Sequence, residues 1–297
     1  MAVDLGRIGI WASSGLWEDG GKLSEDGAEA AAELEELGYG TAWLGRAEGD
    51  LVLAEALLNA TSRLVVGTSI VNIWMYDPPL VAASYRRVSD RHGDRLLVGL
   101  GVGHAPAVEA TGQQYVRPVQ TMQRYLDELD AGEPGIPKDA RALAALGPRM
   151  LQVAAQRSAG ALPYLTPPEH TRRAREILGA RPLLVAEQKV VLDANPASAR
   201  ALARRGIARY FTLPNYTSNL KRFGFTDEDM VGGGSDRVID AIVAWGDVDA
   251  IARRIGEHLD AGADQVAIQV LTDAVNAGTG LPRDEWRNLV PALPQLR

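Results

Sequence analysis

The feature that most constrains this chain is a rhythm: a short, nearly unbroken apolar run is followed by a longer amphipathic stretch, eight times over. The runs open near residues 7, 40, 63, 95, 141, 160, 182 and 264, from RIGIWAS (7–13) through RLVVGTSIV (63–71) and RLLVGLGVG (95–103) to DQVAIQVL (264–271). Runs without polar alternation fit strands covered on both faces, as in a parallel sheet. The stretches between them predict helices over 24–37, 50–60, 79–91, 118–130, 148–158 and 168–179. In the first, Asp26 with Glu29 three residues on predicts the cap, Ala30, Leu34 and Leu37 share a face, and Gly38 ends it. In the last helix, Val248, Ile251, Ile255 and Leu259 point one way and Gly262 stops the chain. LEELGYGTAWL and LDAGADQVAIQVL share this layout of helix, glycine and buried strand, the recurrence a βα-repeat produces. Eight such units predict an α/β fold, a (β/α)8 TIM-like barrel formed by one domain over 1–297, a length that barrels reach. The interval 193–246, with helical segments at 196–213 and 236–245 and a glycine run Gly232–Gly234, reads as a helical insertion before the last strand. An open doubly wound sheet is the alternative on pattern alone.

Charge and composition narrow the function. With 31 Lys and Arg against 38 Asp and Glu, the formal charge is -7, and no basic run offers a footing for nucleic acid or an anionic membrane. The absence of cysteine excludes disulfides, thiolate metal sites and cysteine nucleophiles. Residues 1–11 lack a basic n-region and an apolar h-region, and no apolar run approaches the ~18 residues of a membrane span, so a cytoplasmic protein is expected. There is no metal-ligand spacing and no G-x-S-x-G elbow.

On such a barrel the working residues stand at the C-terminal ends of the strands. That gives Trp11–Ser13, Leu44–Arg46, Ser69–Asn72, Gly101–His104, Ala145–Gly147, Tyr164–Thr166, Glu187–Lys189 and Gln269–Leu271. Gly99, Gly101 and Gly103 do not make a dinucleotide fingerprint, because positions 104 and 106 are His and Pro. Alternating glycines admit either a flat ligand ring or a close neighbouring strand. Of four histidines only His104 follows a strand, whereas His258 reads as a solvated helix residue. Arg149, at a strand-to-helix junction after Gly147–Pro148, is placed either to hold a phosphate or to lie on a helix surface. Trp74 walls a pocket or packs under the rim, and Glu187 is a site residue or a partner in the Lys189 neighbourhood.

RLVVGTSIVNIWMYDPPLVA, RLLVGLGVGHAPAVEA, ALGPRMLQVA, LPNYTSNLKRFGFTDEDM and DAGADQVAIQVL, in this order, resemble the luciferase-like monooxygenase superfamily, and within it the F420-dependent branch, over nearly the whole chain. The resemblance implies a TIM-like barrel, often a homodimer, that binds coenzyme F420 or, alternatively, FMN, and acts on a small molecule. It implies a non-prolyl cis bond at Ser69–Ile70 against the ring, and Val102, Gly103 and His104 at the ring and its phosphate-bearing chain. Ala145, Leu146 and Gly147 would line the phosphate, with Arg149 close by. Sugar-phosphate and alcohol dehydrogenases of this kind carry a histidine after the second strand and a glutamate after the fourth; here those places hold Arg46 and His104. A guanidinium is no base at neutral pH, so Arg46 becomes an anchor for substrate or cofactor and His104 the group that handles a proton. Ser13, Arg46, Trp74 and Glu187 form the candidate substrate set. Three readings follow: hydride transfer between F420 and an unidentified small organic substrate, an FMN-dependent monooxygenase, or a flavin-binding barrel without catalysis.

Overall fold

The computed structural model describes residues 3–292. Eight parallel strands close on themselves: β1 (Ile8–Ser13), β2 (Thr41–Gly45), β3 (Val65–Ser69), β4 (Leu96–Gly101), β5 (Arg141–Leu143), β6 (Gly160–Ala161), β7 (Leu183–Val191) and β8 (Gln265–Val270). Each pairs with the next, and β8 pairs with β1 through Ile8↔Val266 and Ile10↔Ile268, which completes the ring. The barrel reading holds and the open sheet is excluded. The apolar runs were legible because both faces are covered: outward residues such as Ile10, Leu44, Val66 and Leu100 meet the surrounding helices in one core, while Trp11, Trp43, Leu97, Leu162 and Val185 fill the interior.

The interior is packed in levels. At the bottom the Trp43 Nε1–H donates to Gln265 Oε1 at 2.7 Å, and the Thr41 hydroxyl donates to the Leu5 carbonyl at 2.7 Å. Trp43 fits only because its neighbour is glycine: a Cβ on Gly67 would lie 2.3 Å from the indole. Above it, β7 turns Glu187 and Lys189 inward, two residues apart on one face as the period of a strand requires. β3 resumes after Ile70 as a short strand, Val71–Asn72, paired to Leu100 and Gly101 of β4.

Several local expectations need correction. The first helix runs Glu25–Leu37, and its cap is Ser24, whose hydroxyl accepts from the Gly27 N–H at 2.9 Å; Asp26 lies inside the first turn, where its charge still suits the helix dipole. The segment 160–166 is strand only at Gly160–Ala161. The stretch 196–213 divides into a helix at Pro196–Ile207 and a 3-10 turn at Ala208–Thr212, and a further helix at Pro214–Lys221 follows. The helix at Asp236–Ile242 gives way to a ninth parallel strand, Val243–Trp245, which pairs with Lys189–Val191 where β7 outruns its barrel neighbour. β-branched Val243 and the free edge of β7 explain why the chain extends there. These elements between β7 and β8 share a second core, built on Ala199, Ile207, Tyr210, Tyr216, Leu220 and Ile239, and so raise a wall beside the barrel mouth.

Candidate active site

A cavity of about 1520 Å³ opens at the C-terminal ends of the strands. Its lining brings together Ser13, Arg46, Ser69, Ile70, Val102, Gly103, His104, Ala145, Leu146, Gly147 and Arg149. Two of the sequence candidates stand elsewhere. Trp74 lies behind the wall, its ring 5.7 Å from that of Tyr115, which does line the cavity. Glu187 is buried beneath the floor, where its carboxylate takes the Lys189 ammonium at 2.8 Å and the Leu165 N–H at 2.9 Å. Of the two alternatives for Glu187, the structure gives the partner of Lys189.

The shelf between β3 and β4 follows from glycine chemistry. The Ser69–Ile70 peptide bond is cis. A Cβ on Gly99 would meet the Thr68 carbonyl at 1.9 Å, one on Gly101 the Ile70 side chain at 2.6 Å, and one on Gly103 the Asn72 side chain at 2.5 Å. All three glycines are therefore used to bring the end of β3 onto β4, the close-strand alternative of the two. The Val102–Gly103 backbone, with Ile70, then forms a low surface on the cavity wall.

The rim is cationic although the protein is acidic. Arg46, Arg149, Arg205, Arg209 and Arg222 line the cavity, against one carboxylate, Glu48. Arg205 is paired with Asp273 at 2.7 Å; the other four have no carboxylate partner among the described residues. Arg222 stands over Gly147, 3.5 Å from where a Cβ would be, beside Arg149 at the start of the helix Pro148–Arg157. Arg46 is held with φ at +60°, a conformation that costs an ordinary residue about 1–2 kcal/mol, and it places the side chain on the rim at the end of β2.

His104 precedes a short helix and is half-buried. Its Nδ1 lies 3.1 Å from Asn215 Oδ1 and its Nε2 3.5 Å from the Tyr216 hydroxyl. An Nδ1–H donated to Asn215 leaves Nε2 with its lone pair, the tautomer that accepts a proton. Burial, with the nearby Arg209 charge adding to it against the opposing Asn215 bond, holds the imidazole below its usual 6.5, so it is neutral at pH 7. A chain of contacts runs along the cavity wall and down to Lys189 beneath it: Arg209 donates to the Tyr210 hydroxyl at 2.9 Å, Tyr210 meets Tyr164 at 2.8 Å, Tyr164 donates to Gln269 Oε1 at 2.9 Å, and Lys189 donates to the same oxygen at 3.0 Å. The Lys189 ammonium also sits 3.8 Å from the centre of the Tyr164 ring. Burial raises the Tyr164 and Tyr216 hydroxyls well above 10, so both stay neutral.

Tyr164, Lys189 and Gln269 stood among the strand-end residues in the sequence. Arg209, Tyr210, Asn215, Tyr216 and Arg222 were missed. They belong to the 193–246 interval, where no periodicity signals that a loop folds back over a barrel mouth. The resident group that the resemblance implies, a flavin-type ring with a phosphate, fits the residues present. The glycine shelf offers a flat surface, the unpaired arginines match an anionic chain, and the Trp11 indole N–H is buried without an acceptor on the cavity wall.

Residues 7–135 match the family model described as luciferase-like monooxygenase. No curated protein matches the sequence. Among solved structures, the coenzyme F420-dependent tetrahydromethanopterin reductase from Methanopyrus kandleri is similar with a TM-score of 0.70 at 16% identity, over 100% of both chains. An F420-dependent secondary alcohol dehydrogenase in complex with an F420-acetone adduct gives 0.67 at 15%, over 99% of both chains. The oxygenating constituent of 3,6-diketocamphane monooxygenase from Pseudomonas putida, in complex with FMN, gives 0.61 at 11%, over 95% of this chain and 96% of that one. The match over residues 7–135 bears out the resemblance to the luciferase-like monooxygenases in that part of the chain, and the barrel fold is shared across the whole chain with two F420-dependent enzymes and an FMN-bound monooxygenase.

Proposed function

We propose that this protein is an F420-dependent oxidoreductase that moves a hydride between the deazaflavin and a small organic substrate. The observation that carries the reading is the rim: Arg46, Arg149 and Arg222 line one cavity with no carboxylate partner among the described residues, in a chain of net charge -7. FMN carries a single phosphate monoester, whereas F420 carries a phosphodiester and several carboxylates, and the larger negative charge answers the larger positive one. Bound F420 supplies a two-electron hydride acceptor or donor. The protein's own residues do the rest. Ile70 and the Gly103 backbone support the ring, Val102, Gly103 and His104 flank it, Ala145–Gly147 face the phosphate, and Arg149 and Arg222 neutralise it. Ser13 and Arg46 stand on the substrate side of the rim.

His104 balances the proton. When the substrate is oxidised, its C–H bond gives up a hydride, and the proton of its hydroxyl passes to His104 Nε2; in reduction both move in reverse. Asn215 fixes the tautomer so that Nε2 is the nitrogen with the lone pair. Because the pKa is held below 6.5, oxidation is favoured above it and fails as the pH drops through it, whereas reduction gains on the acid side. A kcat/KM profile in the oxidising direction should therefore show an acid limb below pH 6.5 that disappears in His104→Asn; an unchanged limb removes His104 from the mechanism.

Titration of the purified protein with F420 and with FMN tests the cofactor. F420 should bind, and Arg149→Gln should weaken it about tenfold, the loss of one charge-assisted pair. Tight FMN binding with no F420 binding would replace this reading with the FMN-dependent monooxygenase. Small-molecule turnover as a homodimer in the cytoplasm accompanies the proposal as its setting.

A further inference from the structure

Arg209 is a cation held in place with no carboxylate partner among the described residues. It rises from the 3-10 turn Ala208–Thr212, and its guanidinium lies 4.8 Å from the Tyr210 ring centre while Nη2 donates to the Tyr210 hydroxyl at 2.9 Å. That contact uses one of five N–H groups. The chain from Arg209 through Tyr210, Tyr164 and Gln269 ends at Lys189 and Glu187, so two cations share one carboxylate. The links between them, two tyrosines and a glutamine, include no carboxylate. A positive excess of one remains on the cavity wall, on the side of β7 and β8. Arg149 and Arg222, which flank Gly147, belong to the end of β5.

Around Arg209 the wall is aromatic. The Trp11 ring lies 5.4 Å from that of Tyr164, Tyr164 lies 6.0 Å from Tyr216, and Tyr210 lies 5.2 Å from Tyr216. Tyr216 is also 5.2 Å from the His104 ring, so the cation and the proton-accepting nitrogen flank the same group of rings. Trp11 is 7% exposed and its indole N–H has no acceptor among the described residues.

We propose that the substrate is a small planar organic carboxylate, with its carboxylate on Arg209 and its flat body against Trp11, Tyr164 and Tyr216. The proposal rests on the oxidoreductase reading for the reaction itself. The fork of N–H donors on arginine matches a carboxylate in two-point contact, the tyrosine and tryptophan faces match a conjugated or aromatic body, and His104 lies where the other end of a short molecule would exchange its proton.

Binding of benzoate and cinnamate, and of benzamide and cinnamamide as uncharged counterparts, can be read by calorimetry on the protein without cofactor. The acids should bind about tenfold or more tightly than the amides, and Arg209→Gln should erase that difference. Arg209→Lys, which keeps the charge and loses the fork, should restore part of it. F420 affinity should be unchanged in Arg209→Gln, whereas Arg149→Gln should weaken F420 and leave benzoate binding intact. Equal binding of acid and amide, no binding of either acid at millimolar concentration, or an Arg209→Gln loss that falls on F420 would each overturn the proposal. Discrimination of benzoate from benzamide by a protein that takes no F420 would support the anion site and sink the cofactor reading, so the two fail separately.

Discussion

Glu187→Gln should cost roughly 3–5 kcal/mol of folding stability, because it leaves a fully buried ammonium without its counter-ion. Lys189 is 0% exposed, and its other partner is a neutral amide oxygen. Glutamine is the same size, but its amide nitrogen would face either the ammonium or the Leu165 N–H, both donors that the carboxylate now satisfies. Leu165 has φ at +58°, so this bond also holds a turn that a leucine does not adopt by preference. Thermal or urea unfolding checks the loss. A double replacement, Glu187→Leu with Lys189→Met, should recover much of it, since removing both charges leaves none stranded. Equal stability of the single variant and the wild type would mean that water reaches the pair. The same substitutions should disturb the cavity, because Lys189 also braces Gln269 and the face of Tyr164.

Acid should unfold the protein through its buried histidines. The sequence placed His258 on a helix surface; the structure buries it completely, with the Thr171 hydroxyl 2.8 Å from Nδ1 and Gln188 Oε1 2.9 Å from Nε2. Burial, followed by the charges of Arg254 and His170, pushes its pKa down to about 3. His170, whose Nε2 donates to the Leu146 carbonyl on the cavity wall, is pushed down to about 4, again by burial first. Each folded pKa lies below the unfolded value of 6.5, so between pH 6.5 and those values the unfolded chain binds the extra protons. Stability therefore rises with pH across this window and is lost as pH falls through it. At pH 5 the cost from His258 alone is about 2 kcal/mol, since one unit of mismatch is worth about 1.4 kcal/mol. Glu35, drawn down to about 2 by Ser62 and the backbone N–H groups of residues 62–64 against the opposing effect of burial, adds a loss in the same direction below pH 4.5. His258→Gln, which cannot titrate, should be less stable at pH 7 and show a shallower decline to pH 5. A parallel decline in both proteins would remove His258 as its source.

The fold was legible in the sequence to a large extent, and the reason is burial. A parallel barrel strand is covered on both sides, so Val65–Ser69 and Leu96–Gly101 read as continuous apolar runs whatever surrounds them. Glycine stops and capping residues marked the helix ends to within a few positions. The cap at Ser24 was misplaced because Asp26 offers the same chemistry two residues on. The extended segment Val243–Trp245 was hidden because three residues carry no period, and it is the open edge of β7 that recruits them.

The site divides in the same way. Residues at strand ends were identifiable by position, because the barrel's geometry brings those ends to one mouth, and Ser13, Arg46, His104 and Gly147 all reach the cavity from separate strands. Trp74 and Glu187 sat equally near strand ends, and only the direction of their side chains removes them from its wall. What local sequence by itself determined was the eight-unit alternation and the set of strand termini, since these follow from periodicity within a few residues. The tertiary structure decided the pairing of Glu187 with Lys189, the burial of His258, and the arrival of Arg209, Asn215 and Tyr216 at a mouth built by strands far away in the chain. Each of those depends on which surface a segment is folded against, and therefore on charge and solvent exposure that no local pattern encodes.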